Sequence, residues 1–131
     1  MNRFPLLLST ASLLFAAQAF AGPPKATAEL VAKGKATFTV NCVPCHGEKG
    51  DGNGPAGAAL NPKPRNFGTD PFKNGNKPEQ VMKTLAEGIP GTPMIAYAHL
   101  PEEDRWGLAF YVLELQKAGK PAAAKGAAKK K

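Results

Sequence analysis

Two cysteines and a histidine, Cys42, Cys45 and His46, lie within five consecutive residues and constrain this 131-residue chain more than any other feature. The chain has no further cysteine and one further histidine, His99. A thioredoxin-like redox pair would lie at a strand-to-helix turn, and no stretch of this sequence alternates apolar and polar residues as a strand would. A disulfide across so short a loop would add little stability, because it closes little chain entropy. The other two interpretations of the motif are a metal site and the covalent attachment of a cofactor.

Residues 1–21 have the pattern of an export signal. A basic start at Arg3 is followed by a mostly apolar run from Leu6 to Ala17. The tripeptides that end at Ala19 and at Ala21 both have the small-x-small form of a signal-peptidase site, and we favour cleavage after Ala21. Serine and threonine interrupt the run, which is shorter than the roughly 20 apolar residues of a membrane span. We therefore expect a periplasmic mature protein without a membrane span.

Glycine and proline divide the mature chain into helices and loops. Capping signals predict a first helix over 27–41 and a second over 78–87, and a third opens at LPEEDRW and stops at Gly119. Residues 47–76 contain seven glycines and four prolines, which excludes a long helix and predicts a loop that wraps a ligand. The fold class that follows is all-α, with three main helices and long loops.

The net charge of +7 is concentrated at the C-terminus. Residues 22–29 form a linker and helix start, 30–116 a domain, and 117–131 a Lys/Ala-rich tail with six lysines and no acid. Residues 22–116 carry ten basic and ten acidic side chains. Without aromatics among its lysines the tail does not resemble a nucleic-acid binder, and its composition predicts disorder. It is either a solvated tail or an electrostatic arm for an acidic partner or an anionic membrane surface.

The cysteine–histidine motif is interpreted in this helical, exported context. A structural zinc site formed by Cys42, Cys45, His46 and His99 is disfavoured, because zinc ligands usually come as two separated pairs and the adjacent Cys45 and His46 point in different directions. In C-x-x-C-H haem attachment, two thioethers hold the porphyrin and the histidine becomes the proximal ligand of the iron. We therefore predict one haem, covalently bound through Cys42 and Cys45, with its iron bound by His46.

The distal iron ligand has few candidates in the mature chain. Met82 lies on the face of a predicted helix, where a methionine more often fills the core. Met94 lies in the proline-braced loop GTPM, which holds its sulfur without regular structure, and a thioether suits haem iron. His99 is the rival, five residues later. We favour Met94 over His99 and over an open site.

Two long segments resemble the monohaem c-type cytochromes of the bacterial periplasm, the soluble His/Met-ligated type. CVPCHGEKGDGNGPAGAALNPKPRNF, residues 42–67, is similar to the family's haem-attachment motif and its continuation. GIPGTPMIAYAHLPEEDRWGLAFYV, residues 88–112, is similar to its distal-methionine loop and C-terminal helix. The resemblance covers nearly the whole mature domain and implies the cytochrome c fold, in which Gly34 and Phe38 pack against the last helix near Tyr111.

The resemblance also implies roles around the cofactor. Arg65 is expected to donate to a haem propionate, which suits its planar donor fork. A proline carbonyl is expected to accept from the proximal imidazole and orient it; Pro55 matches best, and Pro62 is the alternative. The attachment residues and iron ligands that the resemblance implies are those already singled out: Cys42, Cys45, His46 and Met94.

An iron with both axial positions filled leaves little room for oxygen or substrate, which favours electron transfer over catalysis. We expect a monomeric periplasmic carrier, not an enzyme, that links protein donors and acceptors of a respiratory chain through small, transient interfaces. Two alternatives stay open. One is a haem subunit of a larger oxidoreductase, tethered through the basic tail; the other is a small haem peroxidase with an open distal site.

Overall fold

The computed structural model describes residues 22–120, so the predicted export signal and residues 121–131 of the predicted tail lie outside the described part. Between residues 22 and 120 the chain forms helices and loops and no strand, which confirms the predicted all-α class. The helices are α1 (Ala28–Asn41), α2 (Val43–His46), α3 (Pro78–Glu87) and α4 (Glu102–Gly119), with one 3-10 turn at Gly57–Ala59.

The ends of the three long helices follow local signals in the sequence. Thr27 precedes α1, and its hydroxyl accepts a hydrogen bond from the Leu30 amide at 3.2 Å, which satisfies one of the unpaired amides of the first turn. The predicted second helix is confirmed as α3, with proline in its first turn and Gly88 just beyond its end. The predicted stop of the last helix at Gly119 is also confirmed, so residues 117–119, assigned to the tail, are helical.

Helices α1 and α4 cross in close contact at two glycines. A Cβ atom on Gly34 would lie 2.7 Å from the Leu108 nitrogen and closer still to the Gly107 carbonyl, and one on Gly107 would lie 2.6 Å from the Leu30 carbonyl oxygen. Real Cβ atoms essentially never approach backbone atoms under 3.0 Å. Glycine at both positions is therefore what allows the two backbones to meet.

An apolar core continues from this crossing toward α3. Phe38 of α1 is 1% exposed and packs edge-to-face on Tyr111 of α4, with ring centroids 5.3 Å apart. This contact confirms the expectation that Phe38 packs near Tyr111. Val81 and Leu85 contribute the buried face of α3. The core thus holds together the three long helices α1, α3 and α4.

Within residues 22–120, no helix has the length and apolar character needed to cross a lipid bilayer.

Candidate cofactor-binding site

A cleft of about 420 Å³ opens between the α1–α2 junction, the long loop that follows α2, helix α3 and the loop between α3 and α4. This volume lies in the range of roughly 300–1,000 Å³ that is usual for ligand and cofactor pockets. Most of the predicted site residues line this one cleft, namely Cys42, Cys45, His46, Arg65 and Met94. The alternative Pro62 also lines it. Pro55 and His99 are exposed and are not among the lining residues.

The short helix α2 holds the two cysteines and the histidine on one turn. Cys42 ends α1, with its amide donating to the Phe38 carbonyl at 2.8 Å. Its own carbonyl accepts from the amides of Cys45 at 3.1 Å and His46 at 2.8 Å. The predicted end of the first helix at residue 41 is confirmed, whereas the four-residue helix α2 is not predicted from the sequence.

The two thiols are free and are not joined in a disulfide. Burial, and to a lesser extent the neighbouring Cys45, raises the pKa of the Cys42 thiol to about 12. Cys42 is therefore a protonated thiol at neutral pH, whereas a redox-active C-x-x-C pair requires a thiol with a lowered pKa. This environment argues against a thioredoxin-like activity.

The carbonyl end of α2 is closed by the glycine-rich loop that follows it. The amide of Gly52 donates to the His46 carbonyl at 2.9 Å, that of Gly54 to the Cys45 carbonyl at 3.2 Å, and that of Ala56 to the Pro44 carbonyl at 2.8 Å. These bonds satisfy carbonyls that a helix end otherwise leaves unpaired. The loop therefore fixes the segment that carries Cys45 and His46.

The His46 imidazole is held on its edge and on its face. Its Nδ1 atom lies 3.4 Å from the Arg65 carbonyl oxygen, and because a carbonyl can only accept, Nδ1 is the donor of this long hydrogen bond. The Phe67 ring stacks on the imidazole, with centroids 4.7 Å apart and planes 25° apart. Burial lowers the pKa of His46; the Arg65 carbonyl partly opposes this shift and the Arg65 charge adds to it. A neutral ring with a proton on Nδ1 keeps the Nε2 lone pair available for a metal.

Met94 lies in a loop that is bonded back onto α3. The Met94 carbonyl accepts from the Ile89 amide at 2.9 Å, and its own amide donates to the Thr92 hydroxyl at 3.2 Å. The Tyr97 amide donates to the Leu85 carbonyl of α3 at 2.7 Å. Met94 is half-buried against the core while it lines the cleft, so the thioether faces the cleft from an ordered loop.

The second methionine and the rival histidine are placed differently. Met82 is half-buried on α3 and is not among the residues that line the cleft. His99 is exposed, with its ring 5.8 Å from that of Tyr97.

The predicted roles of Arg65 and Pro55 are those of a propionate donor and of a carbonyl acceptor for the imidazole. The Arg65 guanidinium donates to the Pro71 carbonyl, while the side chain lines the cleft. The carbonyl within hydrogen-bonding distance of the His46 Nδ1 is that of Arg65. The predicted part of Pro55, or of Pro62, as acceptor for the imidazole stays a prediction.

Two aromatic residues that line the cleft, Phe67 and Tyr97, have no role predicted from the sequence. Phe67 stacks on His46, 21 residues along the chain. The Tyr97 hydroxyl donates to the Asn41 carbonyl at 3.2 Å and so joins the Met94 loop to the last residue of α1. Both residues belong to the quoted segments, but nothing local in the sequence shows which side chain they meet.

The donor set of the cleft suits a covalently attached haem. Two free thiols, a neutral imidazole nitrogen and a thioether face one largely apolar cavity, and soft sulfur together with imidazole are typical axial ligands of haem iron. Within residues 22–120, no group of three or more His, Cys, Asp or Glu side chains is arranged to hold a metal ion. The thiols, the imidazole and the thioether that line the cleft are the groups that fit the attachment of a haem.

A helical domain with C-x-x-C-H at the edge of an apolar cleft is the arrangement of a c-type haem-binding domain. The family model described as Cytochrome c matches residues 31–116. The chain belongs to the cytochrome c family, whose members bind haem c covalently and use it for electron transfer.

One solved structure similar to the chain is the reducing HAO-like protein complex of Kuenenia stuttgartiensis. The matching chain of that complex is 34% identical in sequence, with a TM-score of 0.66, over 71% of this chain and 46% of that chain. This chain thus corresponds to less than half of the length of that chain. No curated protein matches the sequence.

Proposed function

We propose that the chain is a periplasmic one-electron carrier whose haem is attached through Cys42 and Cys45 and whose iron is bound by His46 and Met94. The observation that carries this proposal is that both thiols, the imidazole and the thioether line the same cleft. The exposed His99 does not line it, which supports Met94 as the distal ligand. The bound haem supplies a one-electron Fe(II)/Fe(III) couple.

The chain's own residues orient and shield the cofactor. The long bond from Nδ1 to the Arg65 carbonyl leaves Nε2 as the coordinating nitrogen, because such a partner fixes the tautomer of the ring. Val81 and Leu85 of α3 and Val112 of α4 form apolar walls of the cleft, which keep water from the cofactor and favour its less charged, reduced state. The Arg65 guanidinium, on the cleft wall, is the donor that we assign to a haem propionate.

An absorption spectrum of the haem-loaded protein tests the distal ligand. We expect the oxidised wild type to show the near-red iron–sulfur charge-transfer band and Met94→Ala to lose it. Met82→Ala is the matched control, because it removes the other methionine of the mature chain from a position outside the cleft. Its spectrum should equal that of the wild type.

The alternative outcomes point to different functions. A wild-type protein that lacks the band and binds carbon monoxide readily when reduced has an open or His-ligated site, which would refute the carrier proposal in favour of a peroxidase or sensor. Loss of the band in Met82→Ala with retention in Met94→Ala would exchange the two methionines and contradict the site proposed here.

A haem subunit of a larger oxidoreductase is the second candidate function. It is favoured by the similarity to a chain of the HAO-like complex, of which this domain spans 46%. The native mass of the protein in a periplasmic extract distinguishes the two: a carrier elutes as a monomer of about 110 residues after signal removal, whereas a subunit elutes with its partner. Removal of residues 121–131 tests the role of the tail. If the tail is an electrostatic arm, electron transfer to the partner loses its salt dependence when the tail is removed.

A further inference from the structure

The face of the His46 imidazole is covered by a ring that no motif assigns to the site. The Phe67 and His46 rings lie nearly parallel, 25° apart, with centroids separated by 4.7 Å. Phe67 is 9% exposed and lines the same cleft as His46. The contact is therefore a buried stack at the residue proposed as the proximal ligand.

Phe67 is itself held in a fixed position. Its amide donates to the Gly50 carbonyl at 2.8 Å, and its ring meets Phe38 edge-on at 6.3 Å and Phe72 edge-on at 5.6 Å between centroids. A Cβ on Gly50 would overlap the Phe67 ring. A ring with neighbours on several sides cannot follow the imidazole if the imidazole turns, so it acts as a fixed wall.

The hydrogen bond and the stack constrain different movements of the imidazole. The contact between Nδ1 and the Arg65 carbonyl, at 3.4 Å, is longer than the usual 2.7–3.2 Å range and restrains the edge of the ring weakly. Rotation about the bond that joins the ring to Cβ is a broad torsion with low intrinsic barriers. A parallel ring at stacking distance blocks that rotation, because the imidazole would have to drive an edge into the Phe67 face.

We propose that Phe67 is a positioning residue that sets the orientation of the His46 imidazole plane above the haem. The proposal rests on the function proposed above, in which His46 binds the iron. In the oxidised, haem-loaded protein, the direction of the His46 imidazole plane would contribute to how unpaired spin is distributed over the four haem methyl groups. Phe67 thereby controls an electronic property of the cofactor without touching the iron.

The test compares three variants of the haem-loaded protein in the oxidised state by proton NMR of the haem methyl groups. Phe67→Leu keeps an apolar side chain but removes the stacking face, and Phe67→Tyr restores a ring. Phe110→Leu is the matched control, because Phe110 is an aromatic residue of α4 that is 8% exposed and does not line the cleft. The near-red absorption band and the thermal unfolding midpoint are recorded for each variant to establish the ligand set and folding.

We expect Phe67→Leu to change the spread or the order of the four methyl shifts and to keep the near-red band. Phe67→Tyr should return to the wild-type pattern, and Phe110→Leu should keep that pattern even where its unfolding midpoint falls. If Phe67 has a purely structural role, the methyl shifts should change in both leucine variants, in proportion to the fall in their unfolding midpoints.

The remaining outcomes are also decisive. A wild-type methyl pattern in Phe67→Leu overturns the inference and leaves the proposed ligation intact. If Phe67→Leu does not accumulate, Phe67→Met takes its place, because methionine fills gaps flexibly. Failure of both variants while Phe110→Leu folds would show that Phe67 is required for folding and would overturn the inference. A wild-type spectrum without His/Met ligation refutes the proposed function itself.

Discussion

The crossing of α1 and α4 at Gly34 gives a prediction whose sign differs from that of helix propensity. Alanine is the better helix former by about 1 kcal/mol, so Gly34→Ala would stabilise an isolated α1. In the folded protein the added Cβ would lie 2.7 Å from the Leu108 nitrogen, although ordinary contact begins at 3.4 Å. The obstacle is the backbone of α4, which cannot move aside as a side chain could. The two helices must therefore separate, which loosens the contact between Phe38 and Tyr111.

Overpacking of this kind costs about 1–3 kcal/mol and sometimes more, and the clash with backbone places Gly34→Ala at the upper end. After the propensity gain we expect a net loss of about 2 kcal/mol, which lowers the unfolding midpoint by roughly 8–16 °C in a domain of this size. Thermal unfolding of the haem-loaded protein, followed by far-UV circular dichroism, measures this change.

Ala36→Gly provides the control, because Ala36 is exposed on the same helix. It should lose about 1 kcal/mol through propensity alone. The reasoning is refuted if Gly34→Ala is as stable as the wild type or more stable, since the propensity gain would then exceed any cost at the crossing.

Two further predictions concern the loop that carries Met94. Tyr97→Phe removes the bond to the Asn41 carbonyl and should cost about 0.5–1.5 kcal/mol. Because burial raises the pKa of Tyr97 above 10.0, its contribution is complete below pH 10.0 and is lost as the pH rises through the raised pKa. Urea unfolding measures this, and a difference between variant and wild type that stays constant as the pH rises above 10.0 would contradict it. Gly88→Ala places a Cβ atom on a residue with φ 69°, 2.7 Å from the Met94 carbonyl oxygen. This substitution should destabilise the protein by more than about 1 kcal/mol and weaken the near-red band. Gly91→Ala is the control, because Gly91 has a similar φ of 77° but open space around it, and it should leave the band unchanged.

Local signals in the sequence account for the ends of the three long helices and for the C-x-x-C-H motif at the cleft. Thr27, the proline that opens α3 and Gly119 act on their immediate neighbours, so they mark helix ends without knowledge of the fold. The C-x-x-C-H spacing is local in the same sense, because one turn of helix α2 suffices to present its three side chains.

Contacts that depend on how the long loop returns to α2 could not be predicted in this way. Phe67 and the Arg65 carbonyl reach His46 across some 20 residues of glycine-rich chain, and a loop without a periodic pattern does not show which of its groups face inward. The one local clue is Gly50, whose positive φ and missing side chain make room for the Phe67 ring. A glycine of this kind indicates a close approach without naming the partner.

The choice between a carrier and a subunit depends on the outer surface of this domain more than on the cleft. The α1–α4 crossing and the loop bonds that hold His46 and Met94 all lie within residues 31–116, the part matched by the Cytochrome c family model. The cleft is thus built from contacts internal to one domain, and the match to the Kuenenia chain shows a similar region within a longer chain, of which it covers 46%. Since the interior is compatible with both, what distinguishes them is whether a partner covers the exposed side chains beside the cleft. One of these is Ile95, an apolar residue that is 61% exposed and adjacent to Met94 in sequence.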